Sequence, residues 1–93
     1  MLTPRIARYV RRHFGEADAE LVLAVLADWT ISYEEEPPGE RLTAAVVLAA
    51  DGSLEGIDSA LELAEQDWRD LLVAGGLAHE DWPELLDLRL GRA

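Results

Sequence analysis

Apolar residues recur along this chain at intervals of three and four positions, which is the period of an amphipathic α-helix. The longest such stretch has spacings that alternate 3-4-3-4-3-4, and its apolar positions are Leu54, Ile57, Leu61, Ala64, Trp68, Leu71 and Gly75. One continuous helix fits this pattern. Two helices with a kink near Gln66 fit it equally well, because Asp67 followed by Asp70 also resembles a helix start. Both alternatives stay open at this point.

Two further helices are predicted before this stretch, in the first third of the chain. Thr3 and Pro4 are typical of a helix start, and Gly15 is typical of a helix end. Asp18 predicts the start of a second helix, which runs to about Ser32. An apolar stripe in this second helix is broad enough for a central position in the fold, and its members are Leu21, Val22, Val25, Leu26 and Trp29.

Residues 33–39 contain three acids, two prolines and a glycine, which predicts the longest loop of the chain. Glu40 to Ala50 follows as a third helix. A buried strand at residues 45–48 is the alternative, but no second strand pattern exists to pair with it. Ser53 is predicted to cap the helical stretch that begins at residue 54.

A last helix is predicted at the end of the chain, after the Gly75-Gly76 pair. Asp81 with Glu84 resembles a capping box, Pro83 fits the first turn, and Gly91 ends the helix. The pattern as a whole therefore predicts an all-α fold. We expect a compact bundle of five to six short helices that forms a single domain over residues 1–93.

Charge gives this predicted bundle two distinct sides. Residues 1–15 contain four arginines and no acid, whereas the rest of the chain contains four arginines and all nineteen acids, for a net charge of -11. Helical spacing predicts a basic row on the first helix, formed by Arg5, Arg8 and Arg12. It predicts an acidic row on the fourth helix, formed by Glu55, Asp58, Glu62 and Glu65. Two complementary surfaces are expected, which meet within one chain, between two copies, or on a foreign partner.

Residues capable of catalysis or metal binding are scarce. The chain has no cysteine and only two histidines, His13 and His79, and it lacks both a nucleophile elbow and a glycine-rich phosphate loop. His79 begins a His-Glu-Asp run, but a metal site needs three or four converging ligands. The acidic run at residues 34–36 lacks the alternating ligands and the turn glycine of a calcium loop. We therefore predict a protein that is not an enzyme and that has no cofactor or metal.

A short segment resembles the attachment site of acyl carrier proteins, which are also small, acidic and helical. Gly56-Ile57-Asp58-Ser59 matches their Gly-x-Asp-Ser pattern, and the resemblance implies phosphopantetheine carried on Ser59. The match covers four residues, and Ala60 stands where that family has a large apolar residue. An acyl-carrier-like function is therefore kept as an alternative.

The function predicted from the sequence is binding to another protein or to a second copy of the chain. Its binding residues are Arg5, Arg8 and Arg12 on the basic face, Glu55, Asp58 and Glu62 on the acidic face, and Trp68 and Trp82 as apolar anchors. The tryptophans fit core positions equally well. A regulator that binds nucleic acid through the arginines is a second alternative, which the acidic remainder of the chain disfavours.

The composition also suggests where the protein comes from. Its basic residues are all arginine, lysine and asparagine are absent, and alanine and leucine are abundant, as is typical of GC-rich bacterial genomes. No apolar run is long enough for a membrane span or a signal peptide, so a cytoplasmic protein without membrane contact is expected.

Overall fold

The structure is a computed structural model that describes residues 1–92. It consists of six α-helices, and the third of them lies at the centre of the bundle. In chain order they are α1 (Pro4–His13), α2 (Glu16–Asp28), α3 (Glu40–Ala50), α4 (Leu54–Gln66), α5 (Trp68–Gly75) and α6 (Trp82–Leu90). No strand occurs in this part of the chain, so the prediction of an all-α bundle of short helices is confirmed. Its radius of gyration, 11.9 Å, is that of a compact chain of this length.

The central helix is α3, which packs against α1, α4, α5 and α6. It is buried on nearly all sides, at Thr43, Ala44, Ala45, Val46, Val47 and Ala50. A helix with apolar residues all round belongs in the middle of a bundle. The expectation that the second helix is central is therefore wrong, since α2 packs mainly on α1 and α4.

The helix α2 also differs from its predicted bounds. It starts two residues before Asp18 and ends four residues before Ser32. Gly15 is the N-cap of α2 and does not end α1, because Phe14 already leaves the helical conformation. Two members of its predicted core stripe, Leu21 and Val25, are 56% and 44% exposed. The buried residues of this helix are Ala19, Val22, Leu23 and Leu26.

The stretch from residue 54 to residue 75 forms two helices that meet at Asp67. In a continuous helix the backbone N–H of Trp68 would donate to the carbonyl oxygen of Ala64. Here the Tyr33 hydroxyl stands between them: it accepts from Trp68 at 3.1 Å and donates to Ala64 at 2.6 Å. A side chain inserted into the backbone ladder is a known cause of helix kinks. The Asp67 side chain then caps α5 by accepting from the N–H of Arg69 at 2.9 Å.

The predicted helix ends hold better in the second half of the chain. The bounds of α3 are those predicted, and Ser53 caps α4 by accepting from the N–H of Gly56 at 2.9 Å. Gly91 follows the end of α6 as predicted. Thr3 and Asp81 occupy N-cap positions as expected, but neither side chain accepts a capping hydrogen bond.

The helices α3 and α5 approach each other at Gly75. A Cβ atom added to Gly75 would lie 2.7 Å from Cα and 2.8 Å from the carbonyl oxygen of Ala45. No larger residue fits between the two backbones at this separation. The close packing of α5 on the central helix therefore depends on the absence of a side chain at this position.

Candidate interaction surfaces

Arg5 joins the first helix to the third and the last through a largely buried ion-pair network. Its guanidinium donates to both carboxylate oxygens of Glu40, with Nε 2.9 Å from Oε2, and to the Asp87 carboxylate at 2.7 Å. The Arg5 and Glu40 side chains are 10% and 20% exposed, whereas Asp87 is 48% exposed. The sequence groups Arg5 with the partner-binding arginines. In the structure its guanidinium is occupied within its own chain, because two acids from distant segments lie opposite it.

Neighbouring polar groups complete this network. The Thr3 hydroxyl donates to Oε2 of Glu40, and the Met1 amino group donates to the Thr43 hydroxyl at 3.0 Å. The hydrogen bonds from Arg5 lower the pKa of Glu40 below its usual value, against the opposing effect of burial. The same hydrogen bonds raise the pKa of Arg5. Folding therefore favours the ionised form of both groups.

We expect the free energy of unfolding to fall when the solution is acidified through the range in which Glu40 titrates. Because the pKa of Glu40 is lower in the folded chain, its stabilising effect is complete above its ordinary pKa of 4.5. This stabilisation is lost as the pH falls through the pKa that Glu40 has in the folded chain. Urea unfolding of the wild type and of Glu40→Gln over a pH series measures this, and the variant should lose less stability on acidification. Equal losses in the two proteins would exclude a role for Glu40.

Several arginines gather where α1 meets the end of α6. Arg8 donates to the carbonyl oxygens of Leu90 at 3.3 Å and Arg92 at 3.2 Å, which holds the end of the chain alongside the first helix. We call this surface the cationic edge, and its members are Arg8, Arg12, Arg89 and Arg92, all of them exposed. Arg89 and Arg92 are absent from the sequence prediction, since no local pattern indicates that the two ends of the chain pack together.

A concave cleft of about 250 Å³ lies within the cationic edge. Arg8, Arg12 and Arg89 line it together with His13, whose ring stacks on that of Tyr9 with the ring centres 4.0 Å apart. Within residues 1–92, no acidic side chain forms an ion pair with any of these three arginines. The cleft therefore carries concentrated positive charge on a chain whose net charge is -11.

A row of exposed acidic residues lies on α4. Glu55, Asp58 and Glu62 are exposed on this helix, and we call them the acidic face. Glu65 continues their spacing, but it accepts hydrogen bonds from the hydroxyl of Ser32 and, at 3.0 Å, from its backbone N–H. These bonds lower the pKa of Glu65 below its usual value. Glu65 therefore ties the long loop to α4, whereas Glu55, Asp58 and Glu62 form the acidic face.

An apolar groove of about 230 Å³ runs between α2 and α4, beside the acidic face. It is lined by Leu21, Val22, Val25, Leu54, Ile57 and Asp58. Asp58 belongs to both the groove and the acidic face. Exposed apolar surface with a polar border is typical of a protein interface. The sequence pattern does not predict this groove, because it assigns Leu21 and Val25 to the core.

The tryptophans combine features of core and surface positions. Trp68 and Trp82 are half-buried and pack against the core. Each also carries an arginine of the same chain over its ring: Arg69 lies 5.4 Å from the centre of Trp68, and Arg41 lies 5.1 Å from the centre of Trp82. Their outer faces are thus already partly covered, and neither residue adjoins the groove or the cationic edge.

Ser59 is exposed and is the sixth residue of α4, whereas Ser53 stands at the helix start. Over residues 1–92, no three histidine or acidic side chains are grouped so that they could share a metal ion. None of the six helices is long and apolar enough to cross a membrane.

Comparison with known proteins gives no relative for this chain. No protein-family model matches the sequence, and no curated protein or solved structure is significantly similar to it.

Proposed function

We propose that this protein acts without catalysis by binding proteins, and that its partner is a second copy of itself. In this arrangement the cationic edge of one copy contacts the acidic face of the next. The apolar groove is the observation that carries the proposal, because its exposed Leu21 and Val25 adjoin Asp58 of the acidic face. A partner that covers this groove would bury apolar surface and pair the acids beside it.

In our proposal both surfaces are occupied at once. The cationic edge is formed by α1 and the end of α6, whereas the acidic face lies on α4. A contact between unlike surfaces is heterologous, so copies add head to tail and form either a closed ring or an open chain.

The cationic edge also provides an apolar side chain that suits the groove. Leu88 is 79% exposed and lies at the rim of the arginine-lined cleft, next to Arg89. Apolar anchors surrounded by charged residues are a common arrangement in protein interfaces. In our proposal Leu88 enters the groove of the next copy, and the arginines around it pair with Asp58 and Glu62.

The net charge of each copy opposes this association over long distances but not at the contact itself. At physiological ionic strength the Debye length is about 8 Å, so distant charges are screened while touching pairs still attract. Exposed ion pairs contribute little individually. We therefore expect weak association that depends on concentration, and that further salt reduces.

A mixing experiment tests the proposal. The edge variant Arg12→Gln/Arg89→Gln keeps the acidic face, and the face variant Asp58→Asn/Glu62→Gln keeps the cationic edge. Light scattering after size exclusion should give the wild type a mass that rises above 10.3 kDa with concentration. Each variant alone should stay monomeric. An equal mixture of the two should form a dimer that grows no further, because each copy retains one working surface.

Matched substitutions elsewhere serve as controls. Arg69→Gln and Glu35→Gln remove the same kinds of charge from exposed positions outside both surfaces, and they should associate as the wild type does. A wild type that remains at the monomer mass at high concentration contradicts the proposal. So does a mixture of the two variants that fails to combine.

The alternatives from the sequence have less structural support. An acyl carrier places its serine at a helix start, whereas Ser59 lies within α4. Nucleic acid would have to approach the cationic edge against the acids of the remaining surface. Treatment with a phosphopantetheinyl transferase followed by intact-mass measurement tests the first alternative, and an electrophoretic shift at low salt tests the second.

A further inference from the structure

We propose that the cleft in the cationic edge is a binding site for a small phosphate-bearing anion, either phosphate itself or a small phosphate monoester. The site is formed by Arg8, Arg12 and Arg89, with Tyr9 and His13 as its aromatic wall. This inference does not depend on self-association, because a single copy contains the whole cleft.

Four of the eight arginines have an acidic or aromatic partner within their own chain. Arg5 and Arg11 pair with acids, and Arg41 and Arg69 lie over tryptophan rings. The cleft instead brings three arginines together with no acid paired to them among the described residues. Arg8 and Arg12 are also four residues apart on one helix, where like charges repel. A bound anion would relieve this repulsion.

Arg8 is held in position by the segment at the end of α6. Its guanidinium donates to the carbonyl oxygens of Leu90 and Arg92, both of which belong to the segment at the end of α6. Gly91 allows this contact: its φ is +86°, and a Cβ there would lie 3.1 Å from a guanidinium nitrogen of Arg8. A guanidinium fixed in this way loses little freedom when an anion binds.

The chemistry and the size of the cleft suit a small phosphate-bearing anion. Guanidinium groups form paired hydrogen bonds with phosphate oxygens, and several arginines together suit a doubly charged anion. The volume of about 250 Å³ is below the range of roughly 300–1,000 Å³ that is usual for drug-sized ligands. The ligand is therefore small. The half-buried Tyr9 and the exposed Leu88 offer apolar contact to a short organic group next to the phosphate.

The test titrates inorganic phosphate into the protein at low ionic strength and follows the arginine side-chain Nε–H resonances by NMR. The face variant Asp58→Asn/Glu62→Gln is used alongside the wild type, because it keeps the cleft but lacks one surface for self-association. Saturable shifts of Arg8, Arg12 and Arg89 are expected in both proteins. The variant Arg12→Gln/Arg89→Gln should bind at least about tenfold more weakly. A parallel titration with phenyl phosphate separates the two ligand sources, since tighter binding of the ester assigns the site to a phosphate monoester.

Three controls make the result decisive. Sodium chloride at matched ionic strength should not produce the saturable shifts. Arg69→Gln removes one exposed charge elsewhere and should leave phosphate affinity unchanged. Thermal unfolding of Arg12→Gln/Arg89→Gln checks that the variant is folded, because substitutions at exposed positions cost little stability. The proposal is overturned if phosphate causes no saturable shift, or if Arg41 and Arg69 shift as much as the cleft arginines do.

Discussion

Replacing Arg5 with methionine should lower the free energy of unfolding by about 3 kcal/mol, because it leaves the Glu40 carboxylate buried without its partner. Methionine retains most of the apolar volume of the arginine stem, so the loss reports on the charge and not on a cavity. Removing one member of a buried pair is costly because the other charge has given up its hydration. Asp87 adds less to the loss because half of its side chain is already in water.

Urea unfolding followed by circular dichroism measures this difference, and two further variants establish its cause. The double variant Arg5→Met/Glu40→Gln removes both charges and should recover a large part of the lost stability. Arg11→Met removes an arginine whose pair with Glu20 is 3.2 Å long and exposed on both sides, and it should cost under about 1 kcal/mol. If Arg5→Met is no more harmful than Arg11→Met, the Arg5 network does not stabilise the fold.

The substitution Gly75→Ala should lower the free energy of unfolding by about 2 kcal/mol. Forcing a methyl group against the backbone of Ala45 costs up to about 3 kcal/mol. The higher helix propensity of alanine offsets roughly 1 kcal/mol of this cost. Substitution of glycine by alanine inside a helix is normally stabilising, so a loss of stability at this position is a specific sign of close packing between α3 and α5.

Gly15→Ala is the matched control for the added methyl group. A Cβ at Gly15 has no other atom within 4 Å, and its backbone conformation suits alanine. We expect a change below about 1 kcal/mol, which reflects only the weaker N-cap preference of alanine. Thermal unfolding of both variants makes the comparison. A Gly75→Ala protein as stable as the wild type would show that α3 and α5 do not approach as closely as described.

The parts of the fold that the sequence predicts well are those with strong local signals at both ends. The helix α3 lies between the Pro-Pro-Gly run at residues 37–39 and the Asp51-Gly52 pair, and its bounds match the prediction. Ser53 and Gly76 likewise act at the ends of their helices. These residues determine backbone conformation through their own chemistry, so their effect does not depend on distant parts of the chain.

The helix α2 shows why periodicity is insufficient where most residues are apolar. Alanine, leucine and valine occur on every side of this helix, so several stripes fit the same sequence. The prediction buries Leu21 and Val25, whereas the structure buries Ala19 and Leu23. Only the positions of α1 and α4 decide which stripe faces inward, and that information is tertiary.

The arginines show the same limit for the candidate site. Arg5 and Arg8 are equivalent in a sequence-based description, since both are cationic residues of the first helix. Glu40 and Asp87 lie opposite Arg5, while Arg8 donates to the carbonyl oxygens of Leu90 and Arg92. One arginine becomes part of the structural framework and the other belongs to an exposed surface. Helical spacing alone identifies the acidic face of α4. The side of a helix that carries no apolar residue faces the solvent, and the sequence of that helix is enough to show which side this is.

Tyr33 gives the longest loop an influence that surface loops rarely have. Its hydroxyl replaces one backbone hydrogen bond, so the 22 residues from α4 to α5 turn a corner and do not form a single rod of roughly 33 Å. The direction of α5, and with it the approach of Gly75 to Ala45, thus depends on a residue outside every helix. Loops usually tolerate insertions and deletions during evolution. In this protein we expect length changes before Tyr33 to be selected against, while the acids that follow it can vary freely.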